Sequence, residues 1–433
     1  MRPLLILFFA TAALAQPAPK VLTSHTTESL RGVSAVSQKI AWASGTHGTY
    51  LRTTDAGRTW QPAQVPGAAM LDFRAVVAFS ADEAFLMSAG LGDQSRIYHT
   101  SDAGQHWSLQ FTATNPKAFF DSMAFWDPTH GIVLGDPIPD ESGKLKFNLL
   151  LTDDGRTWHA LPTAQLPPAK EGEGAFAASN SCLAILSALS PKINSVILSG
   201  DTRTARRSAC RSRRIPCIFM SPEPPEGILT ADVVATTRQY VPVSWSGASA
   251  PRPPSEKEEA STPDPNIWFA TGGRAARVFH STDRGQTWQV ADTPILHGPD
   301  SAGIFSIAFR DATHGVIAGG DYKLPDQDGP NLAFTGDGGK TWNLSKIFPQ
   351  SYYSAVAYDR NPKSNNKSGN NKEEVRDRLF LVGPKFIYDF RPPQNPTRIS
   401  ANKKSDSQFN AVSPYPQGGT LAVGPKGVII NVP

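Results

Sequence analysis

Short apolar runs that end in glycine recur along the chain. Their length and their β-branched and aromatic content indicate strands rather than helices. The copies lie at residues 40–45, 84–90, 131–135, 267–272, 315–319, 379–383 and 420–424. Their closing glycines are 45, 45, 137, 47, 64 and 41 residues apart. A period near 45 with several strands per repeat is typical of a β-propeller, so the pattern predicts seven repeats, one of which carries a long insertion.

A second motif, Thr/Ser-x-Asp-x-Gly-x-Thr/His-Trp in most copies, follows this run in five units, at 53–60, 100–107, 151–158, 281–288 and 335–342. It separates two β-type runs and therefore predicts a hairpin turn. In such a turn the aspartate accepts amide hydrogen bonds, the glycine takes a positive φ and the tryptophan packs on the hairpin. We assign this structural role, rather than a catalytic one, to Asp55, Gly57, Trp60, Asp102, Gly104, Trp107, Asp153, Gly155, Trp158, Asp283, Gly285, Trp288, Asp337, Gly339 and Trp342.

A third pattern, apolar-x-small-apolar, opens each unit and predicts the inner strand of each blade. It is clear in six units and less clear in the fourth, near residues 173–176. Its variable position is occupied by Arg31, Arg74, Asp121, Phe305, Ser354 and Asn410.

Equivalent positions on successive inner strands ring one level of the central channel. Arg31, Arg74, Asp121 and Asn410 are therefore our candidate partner-binding residues at the channel mouth. The two arginines are suited to gripping a carboxylate or an acidic loop. The alternative is that these groups pair with one another or with channel water.

The predicted fold is an all-β, seven-bladed propeller of four-stranded antiparallel blades. The last unit stops after residues 427–432 and lacks an outer strand. A spare β-type segment lies at 20–27. We expect this N-terminal segment to complete the last blade and close the ring, because closure leaves no open sheet edge.

Residues 1–15 have the pattern of a secretory signal peptide: Arg2, a short apolar run, and a small-x-small site ending at Ala15. An uncleaved anchor is the alternative. The run is too short for a membrane span, so we expect an exported chain, periplasmic or extracellular after cleavage. Residues 16–433 then form a single propeller, expected to be a monomer with no membrane span.

Two segments interrupt the repeats. Residues 187–265, expected as an irregular insertion in the fourth blade, contain Cys210, Cys217 and six arginines within 203–214. That cluster is either a contact for an acidic protein, lipid or polyanion, or a solvated loop, and the segment is alternatively a gene-model error. Residues 361–374, rich in Asn, Lys and Ser, are expected to form a flexible loop in the sixth blade.

Composition narrows the functional classes. The 35 glycines and 37 prolines among 433 residues disfavour a helical bundle. A net charge of +4 excludes a globally basic nucleic-acid binder, and three cysteines exclude a disulfide scaffold. Cys210 and Cys217 form the candidate disulfide pair. No phosphate loop, dinucleotide fingerprint or metal-ligand spacing occurs, so no cofactor and no metal is expected.

The five Asp-containing turns resemble the Asp-box, or BNR, repeats of sialidases, xyloglucan-hydrolysing propellers, sortilin-type receptors and photosystem II assembly factors. Residues 125–131 and 309–315, each ending in Asp-x-Thr-His-Gly, look most like the photosystem II assembly factor type. The resemblance implies a non-catalytic, exported scaffold that binds a protein, including one in a membrane-associated complex. It does not establish that the host is photosynthetic.

An Asp-box glycoside hydrolase, of the sialidase or β-glucan-cleaving type, is the alternative function. Sialidases carry Arg-Ile-Pro before the first Asp-box, whereas here Arg214-Ile215-Pro216 follows the third. Asp121 and Glu173 fall near inner strands and are the carboxylates that keep this alternative open. His130 and His314 lie in matching turns of two different blades and are assigned a turn role rather than a metal-binding one.

Overall fold

The computed structural model of the chain describes residues 18–162, 164–186, 264–346, 351–360, 378–390, 396–399 and 409–433. These residues form seven antiparallel sheets, which are the seven blades of a β-propeller. The prediction of an all-β propeller with four-stranded blades is confirmed. Six of the sheets have four strands, and the sheet of the fifth blade has two additional short strands.

The strands follow one another from the channel outward in each blade. The first blade contains β2 (Leu30–Ala35), β3 (Ala41–Gly45), β4 (Thr49–Thr53) and β5 (Gln61–Gln64). The second contains β6 (Phe73–Ala78), β7 (Ala84–Ser88), β8 (Arg96–Thr100) and β9 (Ser108–Thr112). The third contains β10 (Phe120–Phe125), β11 (Gly131–Pro139), β12 (Leu145–Thr152) and β13 (His159–Ala160).

The remaining blades repeat this order. The fourth contains β15 (Leu183–Ile185), β16 (Ile267–Ala270), β18 (Arg277–Ser281) and β19 (Gln289–Asp292), and the fifth contains β20 (Ala302–Phe309), β21 (Gly315–Asp321), β22 (Leu332–Thr335) and β23 (Asn343–Leu344). The sixth contains β24 (Ala355–Tyr358), β25 (Leu379–Val382), β26 (Ile387–Phe390) and β27 (Thr397–Ile399). The seventh contains β28 (Ala411–Pro414), β29 (Thr420–Val423), β30 (Ile429–Val432) and β1 (Lys20–Leu22).

The core lies between neighbouring blades. The second strands, such as β3, β7 and β25, are buried along their whole length because each is covered by a blade on both sides. The predicted glycine-ended runs are these second strands. The outer strands β5 and β19 are exposed at most positions. This gradient from the channel to the rim explains why the second strands were the easiest to recognise from sequence.

The ring is closed by the N-terminal strand, as predicted. β1 pairs antiparallel with β30, with Val21 opposite Ile430. Leu22 is buried in one cluster with Trp60 of the first blade and Ile429 of the seventh. The closing strand is shorter than the expected 20–27 segment, because only Lys20–Leu22 joins the sheet.

Strand direction gives the ring two different ends. The inner strands begin at one end, which we call the mouth face. The Asp-containing turns, which follow the third strands β4, β8, β12, β18 and β22, lie at the other end, which we call the Asp-box face. Loops between the second and third strands, and the connections between successive blades, therefore lie on the mouth face.

The fourth inner strand differs from the expectation. It is β15, whereas residues 173–176 include the two-residue strand β14 (Glu173–Gly174). β14 pairs with β17 (Gly272–Gly273), and β17 in turn pairs with β20 of the fifth blade. The assignment near 173–176 was wrong because that segment only partly fits the inner-strand pattern, and the inner strand itself comes later in the chain, at Leu183–Ile185.

Several expectations fall on residues outside the described ranges. These are the signal peptide, the Arg cluster at 203–214, Cys210, Cys217, Arg214-Ile215-Pro216 and the loop at 361–374. The expected insertion at 187–265 also lies outside them except for its last two residues. Cys182 is buried as a free thiol. In the described part of the chain, we find no helix long and apolar enough to cross a membrane.

Candidate binding site at the channel mouth

The variable position of the inner strands is the extra residue of a β-bulge in four blades. Pairing of each inner strand with its neighbour shifts register at Arg31, Arg74, Asp121 and Phe305. A bulge leaves one residue unpaired and re-aims its side chain. Repetition of the same bulge in four blades explains why this position varies while its apolar and small neighbours do not.

Arg31 and Arg74 are joined by a third residue, Asp72. Nε of Arg31 lies 3.3 Å from one carboxylate oxygen of Asp72, and Nε of Arg74 lies 3.0 Å from the other. The arginine side chains are each 29% exposed and the carboxylate is 23% exposed. The structure therefore brings together the two arginines that the sequence singled out, around a carboxylate that it did not.

Asp72 was missed because it directly precedes the recognised inner-strand pattern, which begins at Phe73. A signal was present in the sequence. Asp72 and Arg74 are separated by the single residue Phe73, and side chains two positions apart in an extended chain point to the same side.

The arginines keep unused hydrogen-bond donors. A guanidinium carries five N–H groups. Within the described residues, Arg31 donates only through Nε, and Arg74 adds one bond from Nη1 to the carbonyl oxygen of Ala177 at 3.1 Å. Two arginines and one aspartate leave a net positive charge, and both arginines retain N–H groups for an anionic ligand.

Asp121 lies deeper than its position in the pattern suggested. It is 1% exposed, and its Oδ2 has no hydrogen-bond partner among the described residues. Burial raises the pKa of Asp121 well above its ordinary value. The nearby Asp136 raises the pKa further, whereas Arg74 acts in the opposite direction. Asp121 is therefore a buried group near Arg74, with a raised pKa, rather than a surface contact.

Asp136, which is partly buried, is the second carboxyl group beside Asp121. Burial raises its pKa, while the backbone N–H of Ala175 donates to its Oδ1 at 2.9 Å and lowers the pKa. Asn410, the fourth candidate, donates from its side chain to the carbonyl oxygen of Leu30 at 2.7 Å. It joins the seventh blade to the first and is occupied by this structural contact.

Residues 174–181, which we call the channel strap, connect the inner strands of several blades. The strap contacts the second blade through Ala177 and Arg74. Asn180 accepts a hydrogen bond from the backbone N–H of Met123 at 2.7 Å, in the third blade. Small residues dominate the strap, as a crowded channel requires.

The strap also reaches the blades on the opposite side. Phe176 stacks on Phe305 of the fifth blade with ring centroids 4.0 Å apart. The hydroxyl of Ser179 donates to the carbonyl oxygen of Ser354, next to the sixth blade, at 2.9 Å. The strap therefore contacts the inner strands of four blades, and it lies directly beside Arg74.

The Asp-box carboxylates are engaged in their own turns. Asp55 accepts hydrogen bonds from the backbone N–H and the hydroxyl of Thr59 at 2.9 and 2.7 Å. These bonds lower the pKa of Asp55 to about 2. Gly57 has a φ of 75°, which glycine adopts without strain. The turns around Asp102, Asp283 and Asp337 repeat the backbone contact, and at Asp102 the imidazole of His106 takes the place of the hydroxyl.

The third Asp-box uses a different aspartate. Asp154, rather than Asp153, accepts from the backbone N–H groups of Arg156 and Thr157, at 2.8 and 2.7 Å. The hydroxyl at the strand end is Thr152, and this turn reaches Gly155 in one residue fewer than the others. Asp153 is 58% exposed and makes longer ion pairs with His159 and Arg284.

The two Asp-x-Thr-His-Gly segments form turns on the Asp-box face. Nδ1 of His130 lies 2.8 Å from Asp127, and Nδ1 of His314 lies 3.0 Å from Asp311. No cluster of three or more metal-ligating side chains that could hold an ion occurs among the residues the structure describes. The contacts of the two histidines are local to their turns.

Glu173 is committed to a buried ion pair. Its carboxylate accepts from Nε of Arg277 at 2.9 Å, and it also contacts Nη2 of the same guanidinium. Thr271 donates to the same carboxylate at 2.6 Å. A carboxylate held by these donors on both oxygens has no accessible lone pair for a substrate.

Comparison with known proteins agrees with this architecture. The family model described as Photosynthesis system II assembly factor YCF48 matches residues 14–116, which include the closing strand and the first two blades. The model of the BNR/Asp-box repeat matches residues 279–290, at the Asp-box of the fourth blade. No curated protein is significantly similar to the chain in sequence.

Solved structures share the fold at low identity. YCF48 bound to a D1 peptide is 14% identical, covers 97% of this chain and 98% of its own, and has a TM-score of 0.52. A catalytically inactive virginiamycin B lyase from Staphylococcus aureus with quinupristin is 9% identical, covers 95% and 98%, and has a TM-score of 0.53. The WD40 propeller domain of Doa1 is 9% identical, covers 96% and 95%, and has a TM-score of 0.51.

The chain is therefore an Asp-box, or BNR-repeat, β-propeller. Within that class its sequence resembles the photosystem II assembly factor family, through the matched N-terminal blades.

Proposed function

We propose that this propeller is a non-catalytic binding protein that grips a carboxylate-bearing segment of a partner protein at the channel mouth. The observation that carries the proposal is the arrangement of Arg31 and Arg74 around Asp72, because both side chains are partly exposed and keep N–H groups that make no bond among the described residues. Bidentate contact with a carboxylate is the interaction for which such guanidinium groups are best suited.

The resemblance to an assembly factor family supports a protein as the partner. The similar YCF48 structure contains a bound D1 peptide. A peptide ligand is also compatible with the channel strap, because a segment lying across the mouth needs no open channel. We propose that an acidic or C-terminal segment of a protein, including one in a membrane-associated complex, is the ligand.

Two substitutions at the site, with opposite expected effects on binding, test this proposal. Arg31→Gln removes one guanidinium, and Asp72→Asn removes the competing carboxylate while preserving its shape. Binding of a fluorescein-labelled peptide ending in two glutamates, measured by anisotropy, should weaken about tenfold in Arg31→Gln and strengthen in Asp72→Asn. Arg58→Gln, on the Asp-box face, is the matched control.

Salt provides a second measurement. Binding of the acidic peptide to the native protein should weaken as salt rises, because the site is partly exposed. Equal binding by the native protein and Arg31→Gln, or weaker binding by Asp72→Asn, would reject the proposed site.

The two carboxylates that suggested the glycosidase alternative are not accessible to a substrate. Glu173 is held by Arg277, and Asp121 is 1% exposed. We therefore propose a non-catalytic role, and a turnover screen against sialosides and β-glucans tests it. Turnover abolished by a single carboxylate substitution would establish the enzyme instead.

We also propose export, on the basis of the N-terminal sequence. Cleavage after Ala15 would leave the closing strand β1 intact in the mature chain. N-terminal sequencing of the protein purified from its native host should start at Gln16. A mature chain that begins at Met1 and stays in the cytoplasm would contradict this proposal.

A further inference from the structure

Large apolar side chains are exposed at two kinds of place on the propeller. Among the described residues, Val21, Leu109, Val290 and Leu344 lie on outer strands at the rim. The other four, Met70, Leu91, Tyr322 and Leu324, lie on loops of the mouth face. Single exposed apolar residues at a rim are ordinary. Those on the mouth face share it with the arginine site.

Met70 and Leu91 are tied to that site through the backbone. Met70 is 88% exposed and comes two residues before Asp72, and Leu91 is 66% exposed. The backbone N–H of Ala89 donates to the carbonyl oxygen of Asp72 at 3.0 Å, so the two loops meet at this aspartate. Met70 and Leu91 are therefore each two residues along the chain from a backbone contact at the aspartate whose carboxylate joins Arg31 to Arg74.

We propose that the mouth recognises two adjacent features of its partner: a carboxylate at Arg31 and Arg74, and a bulky apolar side chain that packs on Met70 and Leu91. This inference rests on the proposed function and extends it to sequence preference. Burying a large apolar side chain adds affinity roughly in proportion to the area removed from water. The flexible side chain of methionine adapts to different apolar partners.

A protein segment is the occupant that fits this surface. The site combines a net positive centre with two separated apolar residues, and an acidic segment containing an aromatic or aliphatic residue complements both. A second copy of the chain fits less well. A two-fold contact through this surface would place Arg31 and Arg74 of both copies near one another and oppose their charges.

Three labelled peptides separate the two features. The first is Gly-Ser-Gly-Phe-Glu-Glu with a free C-terminus, the second replaces Phe with Ser, and the third is Gly-Ser-Gly-Phe-Gln-Gln-amide. Binding to the full mature chain is measured by fluorescence anisotropy. On the native protein, the first peptide should bind about five- to tenfold more tightly than the second. The third should bind more weakly than either acidic peptide.

Variants of the protein assign each feature to its residues. Met70→Ser with Leu91→Ser should weaken the first peptide about five- to tenfold and change the second less than about twofold. Leu109→Ser with Leu344→Ser, at exposed rim positions, is the matched control and should change neither. Arg31→Gln should weaken both acidic peptides.

The outcomes distinguish the two proposals. Equal binding of the first and second peptides to the native protein, or equal loss of both in Met70→Ser with Leu91→Ser, overturns the apolar preference alone. Equal binding of the first and third peptides overturns the proposed function and this inference with it. A native dimer that dissociates in Met70→Ser with Leu91→Ser, seen by sedimentation, would make a second copy the occupant and overturn it also.

Discussion

Asp121 illustrates at the scale of one residue how burial changes the role of a side chain. The inner-strand pattern placed it with Arg31 and Arg74. The same bulge re-aims all three, but only the arginines reach the exposed mouth. Sequence identifies the equivalent positions because the pattern repeats. It does not give their depth, which depends on the channel strap and on Asp136.

Replacing Asp121 by Asn should make stability less dependent on pH. A raised pKa means that the folded state holds the proton more tightly than the unfolded chain. The associated stability is present below the unfolded pKa and is lost as pH rises toward the folded pKa. Between pH 4 and pH 7 the free energy of unfolding of Asp121→Asn should therefore rise relative to that of the native protein.

Urea denaturation at the two pH values measures this difference. Asp72→Asn serves as the control, because it removes a partly exposed carboxylate from the same neighbourhood. A difference in the free energy of unfolding between Asp121→Asn and the native protein that stays constant from pH 4 to pH 7 would contradict the raised pKa of Asp121.

The third Asp-box offers a comparison of neighbouring aspartates. Asp154→Ala removes the acceptor of two backbone N–H groups, and we expect it to lower the free energy of unfolding. Asp153→Ala removes only exposed ion pairs and should change it by less than about 0.5 kcal/mol. Chemical denaturation of both variants checks this, and the reverse order would be contrary to it.

The motif alignment could not make this distinction. It places Asp153 beside Asp55 and Asp102, since glycine and tryptophan are then in register. The strand, however, ends at Thr152, and the turn after it is one residue shorter. The end of a strand is decided by its pairing with the neighbouring strands. The sequence of a single repeat does not reveal that pairing.

At the scale of elements, the strands were predictable and the channel strap was not. Glycine-ended runs repeat seven times, so their period reveals them even when single runs are ambiguous. The strap occurs once. Residues 173–176, which include the start of the strap, partly match the inner-strand pattern, yet Phe176 packs against Phe305 while the fourth inner strand begins at Leu183.

Truncating Phe176 should loosen the strap. Phe176 stacks on Phe305, and its ring leaves no room for a side chain at Gly272. We expect Phe176→Ala to lower the free energy of unfolding by about 1–3 kcal/mol, because the ring is only partly buried. Hydrogen exchange of strap residues 174–181 should become faster. An unchanged exchange rate would show that these contacts do not hold the strap in place.

At the scale of the whole molecule, the ring depends on contact between residues from opposite ends of the chain. β1 is three residues long, and all three pair with β30 in a sheet whose other strands lie within residues 411–432. Asn410 and Leu30 add a second link between the seventh and first blades. Closure was predictable because the last unit lacks an outer strand and the sequence has one unassigned β-type segment, at 20–27, that can supply it.

Two neighbouring residues of β1 test whether closure holds the ring together. Leu22 is 7% exposed and packs with Trp60 and Ile429, whereas Val21 is 49% exposed. Leu22→Asp places a charge in the contact between the last and first blades, so we expect a loss of about 3 kcal/mol or more and a sharply lower melting temperature. Val21→Asp should lower the melting temperature little, because the added carboxylate reaches solvent.

A deletion variant gives a second test of closure. Deletion of residues 16–22 should lower the melting temperature as Leu22→Asp does, and a chain starting at Gln16 is the reference. Equal melting of Leu22→Asp and Val21→Asp would mean that β1 pairs with the seventh blade without stabilising the ring.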